Sequence, residues 1–329
     1  MIGRRVCVAG LAAGLALARF PAAAQAAERV WRIGILRPTA PPLPTDTTWT
    51  GIPRALREIG FVEGRNLVLE HRYASGNPEQ LVPLARELAA ARVDLVVAVS
   101  AAAVQAAREV STTWPIVMFG NFDPVAVGLV ANLARPGGNV TGVVIAPDGT
   151  LAGKRLELLR QMVPAANRIA YLSPPPDAAS ALQLAEARKA AAELGVTLVD
   201  AEVRDGDYER AFAALVAQRP AALLVAANTL FVRDRARIIA LAARHRLPAI
   251  YEWREQVVDG GLMTYSTSLG WAYERIAWFV DRILKGARPG DLAVERPSKF
   301  ELVINQRTAQ TLGLTIPQAV LLRTDEVIQ

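Results

Sequence analysis

The side chains best able to hold a small molecule stand just beyond short apolar runs. Ser100, Asn121 and Asp123 follow such runs in the first half of the chain; Asn228, Thr229, Tyr251 and Tyr265 follow others in the second. In parallel α/β sheets ligands bind beyond the carboxyl ends of the strands, so these positions form the candidate site. They offer hydroxyls, amides, an acid and aromatic rings, groups that orient a small organic ligand with an apolar part. Ser100 and the amides of Ala101 and Ala102 open a helix, whose free N–H groups and partial positive charge suit a carboxylate. The competing reading makes Ser100 only an N-cap. Asp123, in Asn121-Phe-Asp-Pro124, is either an acceptor for an amine or hydroxyl or the closure of an Asx-turn before proline. Tyr251 and Tyr265 either meet a ligand or pack within a core or hinge. Asn228 and Thr229 mirror Ser100, with a cap again as the competing role for Asn228.

No catalytic or metal-binding constellation accompanies them. The two histidines are separated: His71 lies within a strand pattern, and His245 sits between Arg244 and Arg246 at a helix end. CxxC, HExxH, GxSxG, GxxxxGK[ST] and a GxGxxG after the first strand are all missing, so neither a metal nor a nucleotide cofactor is expected. Acids at strand ends leave an Asp- or Glu-based hydrolase as the enzymatic alternative.

The elements that must position these residues alternate in the βαβ manner of a parallel sheet. Strands are predicted over 30–36, 66–73, 94–99 and 116–119. Helices are predicted over 78–91, where Asn77 is the N-cap and Pro78 the first helical residue, and over 101–110. The order then recurs. Arg32-Ile-Gly-Ile-Leu-Arg-Pro38 is matched by Arg168-Ile-Ala-Tyr-Leu-Ser-Pro174, Glu58-Ile-Gly60 by Glu193-Leu-Gly195, and Trp114-Pro-Ile-Val-Met-Phe119 by Leu247-Pro-Ala-Ile-Tyr251. The helix and strand within 78–100 are likewise matched within 208–228. Matched landmarks in one order imply two similar α/β lobes. A strand over 260–265, a helix over 270–285 and a strand over 300–305 extend beyond the second repeat. To house them the chain crosses between lobes near 144–150, 266–269 and 288–299, which makes a hinge with a ligand cleft beside it.

The chain has 329 residues, 52% of them hydrophobic, enough for about two domains with their own cores. Residues 1–26 read as a secretory signal: a basic start through Arg5, an apolar stretch over 6–18, and Ala24-Gln25-Ala26 before the cut. The single cysteine, Cys7, falls inside that segment, so the exported chain is expected to lack disulfides and thiol chemistry. Removing Arg4, Arg5 and Arg19 lowers the net charge from +6 to +3, too little to argue for nucleic acid.

Several runs resemble a known family, the periplasmic substrate-binding proteins of ABC transporters in the group whose described members bind aromatic amino acids. The likeness is carried by Thr112-Thr-Trp-Pro-Ile-Val117, by DPVAVGLVANLARPGGNVTG over 123–142, by Gly260-Gly-Leu-Met263 and by Lys299-Phe-Glu-Leu-Val-Ile-Asn305. It implies an α/β fold of two Rossmann-like lobes with parallel sheets, the type I periplasmic-binding architecture with three interlobe crossovers. The expected division is 27–147 plus 268–292 for the first lobe and 148–267 plus 293–329 for the second. Carried over by position, Ser100, Ala101 and Ala102 look like the family's ligand-contacting turn and Asp123 like its Asp-Pro aspartate. Asn228 and Thr229 look like its second polar strand end, and Tyr265 like its crossing segment. Two departures stand out: Ser266-Thr-Ser268 lies where relatives carry an acid, and bulky or charged residues fill 251–254. The implied role is an exported, soluble periplasmic protein without enzymatic activity or cofactor. It captures a small organic ligand, an amino acid or an aromatic or carboxylate compound, for a membrane permease with its cytoplasmic ATPase. The alternative is a ligand-binding sensory module serving a membrane receptor.

Overall fold

In the computed structural model, residues 29–42, 50–145 and 150–329 are described. The predicted leader lies outside them. Strands form where the sequence offers unbroken aliphatic runs, as expected when helices cover both faces of a parallel sheet. In the first half β1 (Trp31–Arg37), β2 (Leu67–Tyr73), β3 (Leu95–Val99), β4 (Ile116–Gly120) and β5 (Val140–Val144) pair in the order β2-β1-β3-β4-β5, all parallel. Every residue of β3 and β5 is buried. Helix α1 (Gly51–Glu58) covers one face and α2 (Leu81–Ala90) and α3 (Ala101–Val110) the other. The predicted helix over 78–91 begins as a single 3₁₀ turn, Pro78–Gln80, capped as expected by Asn77, which accepts the Glu79 N–H at 3.0 Å.

The second half repeats this plan. It contains α4 (Thr150–Met162), β6 (Arg168–Ser173), α5 (Ala178–Glu193), β7 (Thr197–Glu202), α6 (Tyr208–Ala217), β8 (Ala222–Val225), α7 (Thr229–Arg233), α8 (Arg235–Arg244), β9 (Ala249–Tyr251), α9 (Arg254–Val258) and β10 (Met263–Ser266). Its strands lie in the order β7-β6-β8-β9-β10, the first sheet's order over again. Thus β4 corresponds to β9 and β3 to β8.

The chain then returns to the first sheet. Helix α10 (Leu269–Leu284) packs beside α1 against β4 and β5, burying Ile276, Phe279, Val280 and Ile283. The segment after it runs along β5: the Glu295 N–H donates to the Gly142 carbonyl at 2.9 Å, and the Val144 N–H donates to the Glu295 carbonyl at 3.0 Å. Gly142 has φ +138°, and a Cβ there would stand 2.2 Å from the Met118 carbonyl oxygen, so only glycine fits this strand position. The chain finally joins the second sheet through β11 (Glu301–Asn305), followed by α11 (Gln306–Thr311), α12 (Gln318–Leu321) and β12 (Glu326–Ile328).

One feature corrects the expectation of purely parallel sheets: β11 is antiparallel to β10. Its first residue, Glu301, pairs with Ser266 at the end of β10, because a segment arriving from the other lobe enters at the carboxyl end of the sheet and must run away from it. β12, which the sequence did not suggest, then pairs parallel to β11 as the edge strand.

Candidate ligand-binding cleft

The strand ends of the two sheets meet across a seam, and one hydrogen bond joins residues at corresponding places in the repeats. Asn121 follows β4 and Glu252 follows β9; the Asn121 Nδ2 donates to Glu252 Oε1 at 2.5 Å. Glu252 is 3% exposed. Its carboxylate also accepts the backbone N–H of Asn228 and the indole N–H of Trp253, and the guanidinium of Arg155 acts on it through space. Burial outweighs these attractions and lifts its pKa to about 7.

The loop that carries Glu252 is fixed from several sides. The Gln256 side-chain oxygen accepts the N–H groups of Glu252 at 3.1 Å and Trp253 at 2.9 Å. The Thr264 hydroxyl lies 3.0 Å from the Tyr251 carbonyl and 2.7 Å from that of Glu252. On the neighbouring strand, Gln183 brackets Ala227, donating to its carbonyl at 3.0 Å and accepting its N–H at 2.9 Å, which sets the tip where Asn228 stands. A carboxylate held this way has little freedom left to lose on binding.

Ser100 caps α3, its Oγ accepting the Ala103 N–H at 3.3 Å. The amides of Ala101 and Ala102 begin the helix, where N–H groups have no intrahelical acceptor. Ser100 nevertheless has φ +96° and ψ 157°, a region that only glycine enters without strain, at a cost of about 1–3 kcal/mol for another residue. Asp123 closes an Asx-turn: Oδ1 accepts the N–H groups of Val125 at 2.9 Å and Ala126 at 3.1 Å. Asn228 caps α7, accepting the Leu230 N–H at 2.8 Å, and Thr229 follows it, half-buried.

The two tyrosines part company. Tyr251 is 1% exposed, and its ring lies over Gly261, where a Cβ would meet it at 2.7 Å. It belongs to the second-lobe core, and burial raises its pKa. Tyr265 is half-buried, stacks on Phe300 with ring centroids 5.9 Å apart, and packs against the cores of both lobes. The apolar side of the seam continues through Val232, Trp253 and Leu151 of the second lobe, which share one cluster with Phe119, Leu269 and Tyr273 of the first. The seam between the lobes therefore has a packed apolar side, half of it aromatic, and a polar side made of strand ends.

Three more polar residues stand at the seam beside the candidate set. Glu252 and Arg37 were legible in the sequence as residues that directly follow predicted strands. Arg155 was not, because it comes from α4 rather than a strand end. It is 2% exposed and its Nε donates to the Tyr265 carbonyl at 2.9 Å. Arg37, 4% exposed at the end of β1, has its pKa lowered by burial, with the Tyr273 and Tyr73 rings nearby. Among the described residues no cluster of His, Cys, Asp and Glu could hold a metal, and no helix is long and apolar enough to cross a membrane.

Comparison with known proteins agrees with the two-lobed α/β fold. A model of the family described as ABC transporter substrate binding protein matches residues 40–328. A "Tyrosine-binding protein" of Clostridioides difficile (strain R20291) is 26% identical over 274 residues, covering 82% of this chain and 77% of its own length. A conserved domain protein from Vibrio cholerae superposes with a TM-score of 0.80 at 28% identity, over 91% of this chain and 100% of the other. An ABC domain from Streptococcus pneumonia, solved in complex with L-Trp, gives 0.78 at 25% identity over 91% and 100%.

Proposed function

The chain belongs to the ABC transporter substrate-binding protein family, and from that premise we propose that it captures a small organic ligand between its lobes and delivers it to a membrane permease driven by a cytoplasmic ATPase. The observation that carries this reading is the Asn121–Glu252 bond, which links two strand ends of different lobes beside an aromatic wall. A contact made across the seam exists only when the lobes are together, so a ligand touching both sides shifts the population toward closure and is trapped. The two moving bodies divide as expected from the sequence, 27–147 with 268–292 and 148–267 with 293–329, except that the chain stays with the first lobe through Glu295, which is bonded along β5, before it crosses to β11. Ser100, Ala101, Ala102, Asn121, Asp123, Asn228, Thr229 and Tyr265 face the captured molecule, while Tyr251 supports the site from behind. The leader over 1–26 sends the protein to the periplasm.

The ligand is an amino acid or an aromatic or carboxylate compound; the names of the similar proteins direct the first screen to tyrosine and tryptophan. A thermal-shift screen of the purified protein tests the reading. At about 100 times its Kd a ligand stabilises the fold by ~3 kcal/mol, a rise of a few degrees in Tm. Recovery of the compound unchanged supports capture; its conversion to a product refutes a pure binding role.

A further inference from the structure

We propose that Arg155 and Ser266 form the seat for an anionic group of the captured ligand, and that the ligand is a small organic carboxylate for which an ammonium group is dispensable. The inference deepens the capture role proposed above and rests on it. Arg155 is 2% exposed; its Nε is bound to the Tyr265 carbonyl at 2.9 Å, yet its Nη2 is buried with no hydrogen-bond partner. Ser266, the next residue after the one that anchors Arg155, is 3% exposed and its Oγ is likewise buried without a partner. Buried polar atoms are almost always paired, so two unpartnered donors, one on the arginine bound to the Tyr265 carbonyl and one on the next residue of β10, point to an acceptor that the protein itself does not supply. The guanidinium presents its N–H groups in a planar fork that matches a carboxylate.

Glu252, the carboxylate that attracts Arg155, is engaged elsewhere, accepting from the Asn121 side chain, the Asn228 N–H and Trp253. The same engagement argues against it as the partner of a ligand ammonium, and burial weakens its charge further. Asp123, the other acid near the seam, has Oδ1 committed to two backbone N–H groups. Ser266-Thr-Ser268 brings hydroxyls rather than another acid to the crossing segment. With both acids so engaged and two donor atoms unpartnered, the seat favours a ligand whose head is a carboxylate alone.

The test is calorimetric titration at pH 7.5 with two matched sets: 3-phenylpropionate, L-phenylalanine and 3-phenylpropionamide; and hexanoate, L-norleucine and hexanamide. In at least one set the acid should bind as tightly as the amino acid or more so, and at least a hundredfold more tightly than the amide. Arg155→Gln, which keeps a donor for the Tyr265 carbonyl, should lose about a hundredfold in affinity for the acid, with Arg155→Lys recovering part of it. Should Arg155→Gln fail to fold, Ser266→Ala serves, with a tenfold loss for the acid and none for the amide. An amide bound as well as its acid, or an amino acid bound a hundredfold more tightly than its acid, overturns the assignment while leaving capture intact. Binding of none of the six also overturns it; capture itself falls only if the broad thermal-shift screen is blank as well.

Discussion

Replacing Glu252 with glutamine should make the protein more stable at neutral and alkaline pH, although it removes the carboxylate that faces a buried arginine. Glu252 has a pKa of about 7 in the folded chain against an ordinary value of 4.5. Between those values the folded protein holds a proton that the unfolded chain has released. Stability contributed by this group is therefore full at low pH, falls as the pH rises toward 7, and levels off above it. At ~1.4 kcal/mol per pH unit, the fall between pH 5 and pH 8 comes to roughly 2–3 kcal/mol. Glutamine copies the shape of the protonated acid and does not titrate, so the variant should match the wild type closely at pH 5 and exceed its stability by that amount at pH 8. Urea unfolding of both proteins at pH 5, 6, 7 and 8 reads the difference, in which every other titrating group cancels. The opposing force is the attraction to Arg155: removing one member of a buried ion pair costs about 3–5 kcal/mol when the pair is net favourable. A variant less stable than the wild type at pH 8, or a difference that does not change with pH, would refute the argument that desolvation dominates this carboxylate.

Three further outcomes are expected. Asn121→Ala removes a hydrogen bond made to a buried acid across the seam, worth about 1.5–3 kcal/mol; affinity for any captured ligand should drop about 10- to 100-fold in titration calorimetry, with melting of the unliganded protein little changed. Ser100→Gly releases the strain at φ +96° while losing only part of the cap, so urea unfolding should show a gain of about 1 kcal/mol together with weaker ligand binding. Gly142→Ala drives a Cβ to 2.2 Å from the Met118 carbonyl at φ +138°, and its chemical denaturation midpoint should report a loss of about 3 kcal/mol or more.

Much of this architecture was readable because local signals agreed with the tertiary arrangement. The helix predicted over 101–110 appears as α3 with those ends, since Ser100 caps it and Ser111 leaves it in extended backbone. The repeated landmarks reappear as a repeated strand order. β5 stayed hidden because Gly142 reads as a breaker, when in fact a neighbouring carbonyl forbids any side chain there. At the seam, the rule that ligands lie beyond strand ends singled out Asn121 and Asn228, which the structure brings together on Glu252, but could not distinguish Tyr251, whose ring turns over Gly261 into the core, from Tyr265, which touches both cores. Nor could it find Arg155, which reaches the carbonyl of Tyr265 from a helix 110 residues earlier. The meaning of such a residue lies in what packs around it, which spacing along one element does not record.

The equivalence of β4 and β9 gives the Asn121–Glu252 bond a further significance. It joins corresponding places in the two repeats, positions 131 residues apart. In a symmetric homodimer of either half, a contact between corresponding places would set a residue against its own copy. Two glutamates would repel there, and two asparagines could offer no ionisable group. With both halves in a single polypeptide, each side is free to differ, so an amide can face a carboxylate. Covalent fusion thus permits what symmetry forbids: a seam closed by two unlike groups.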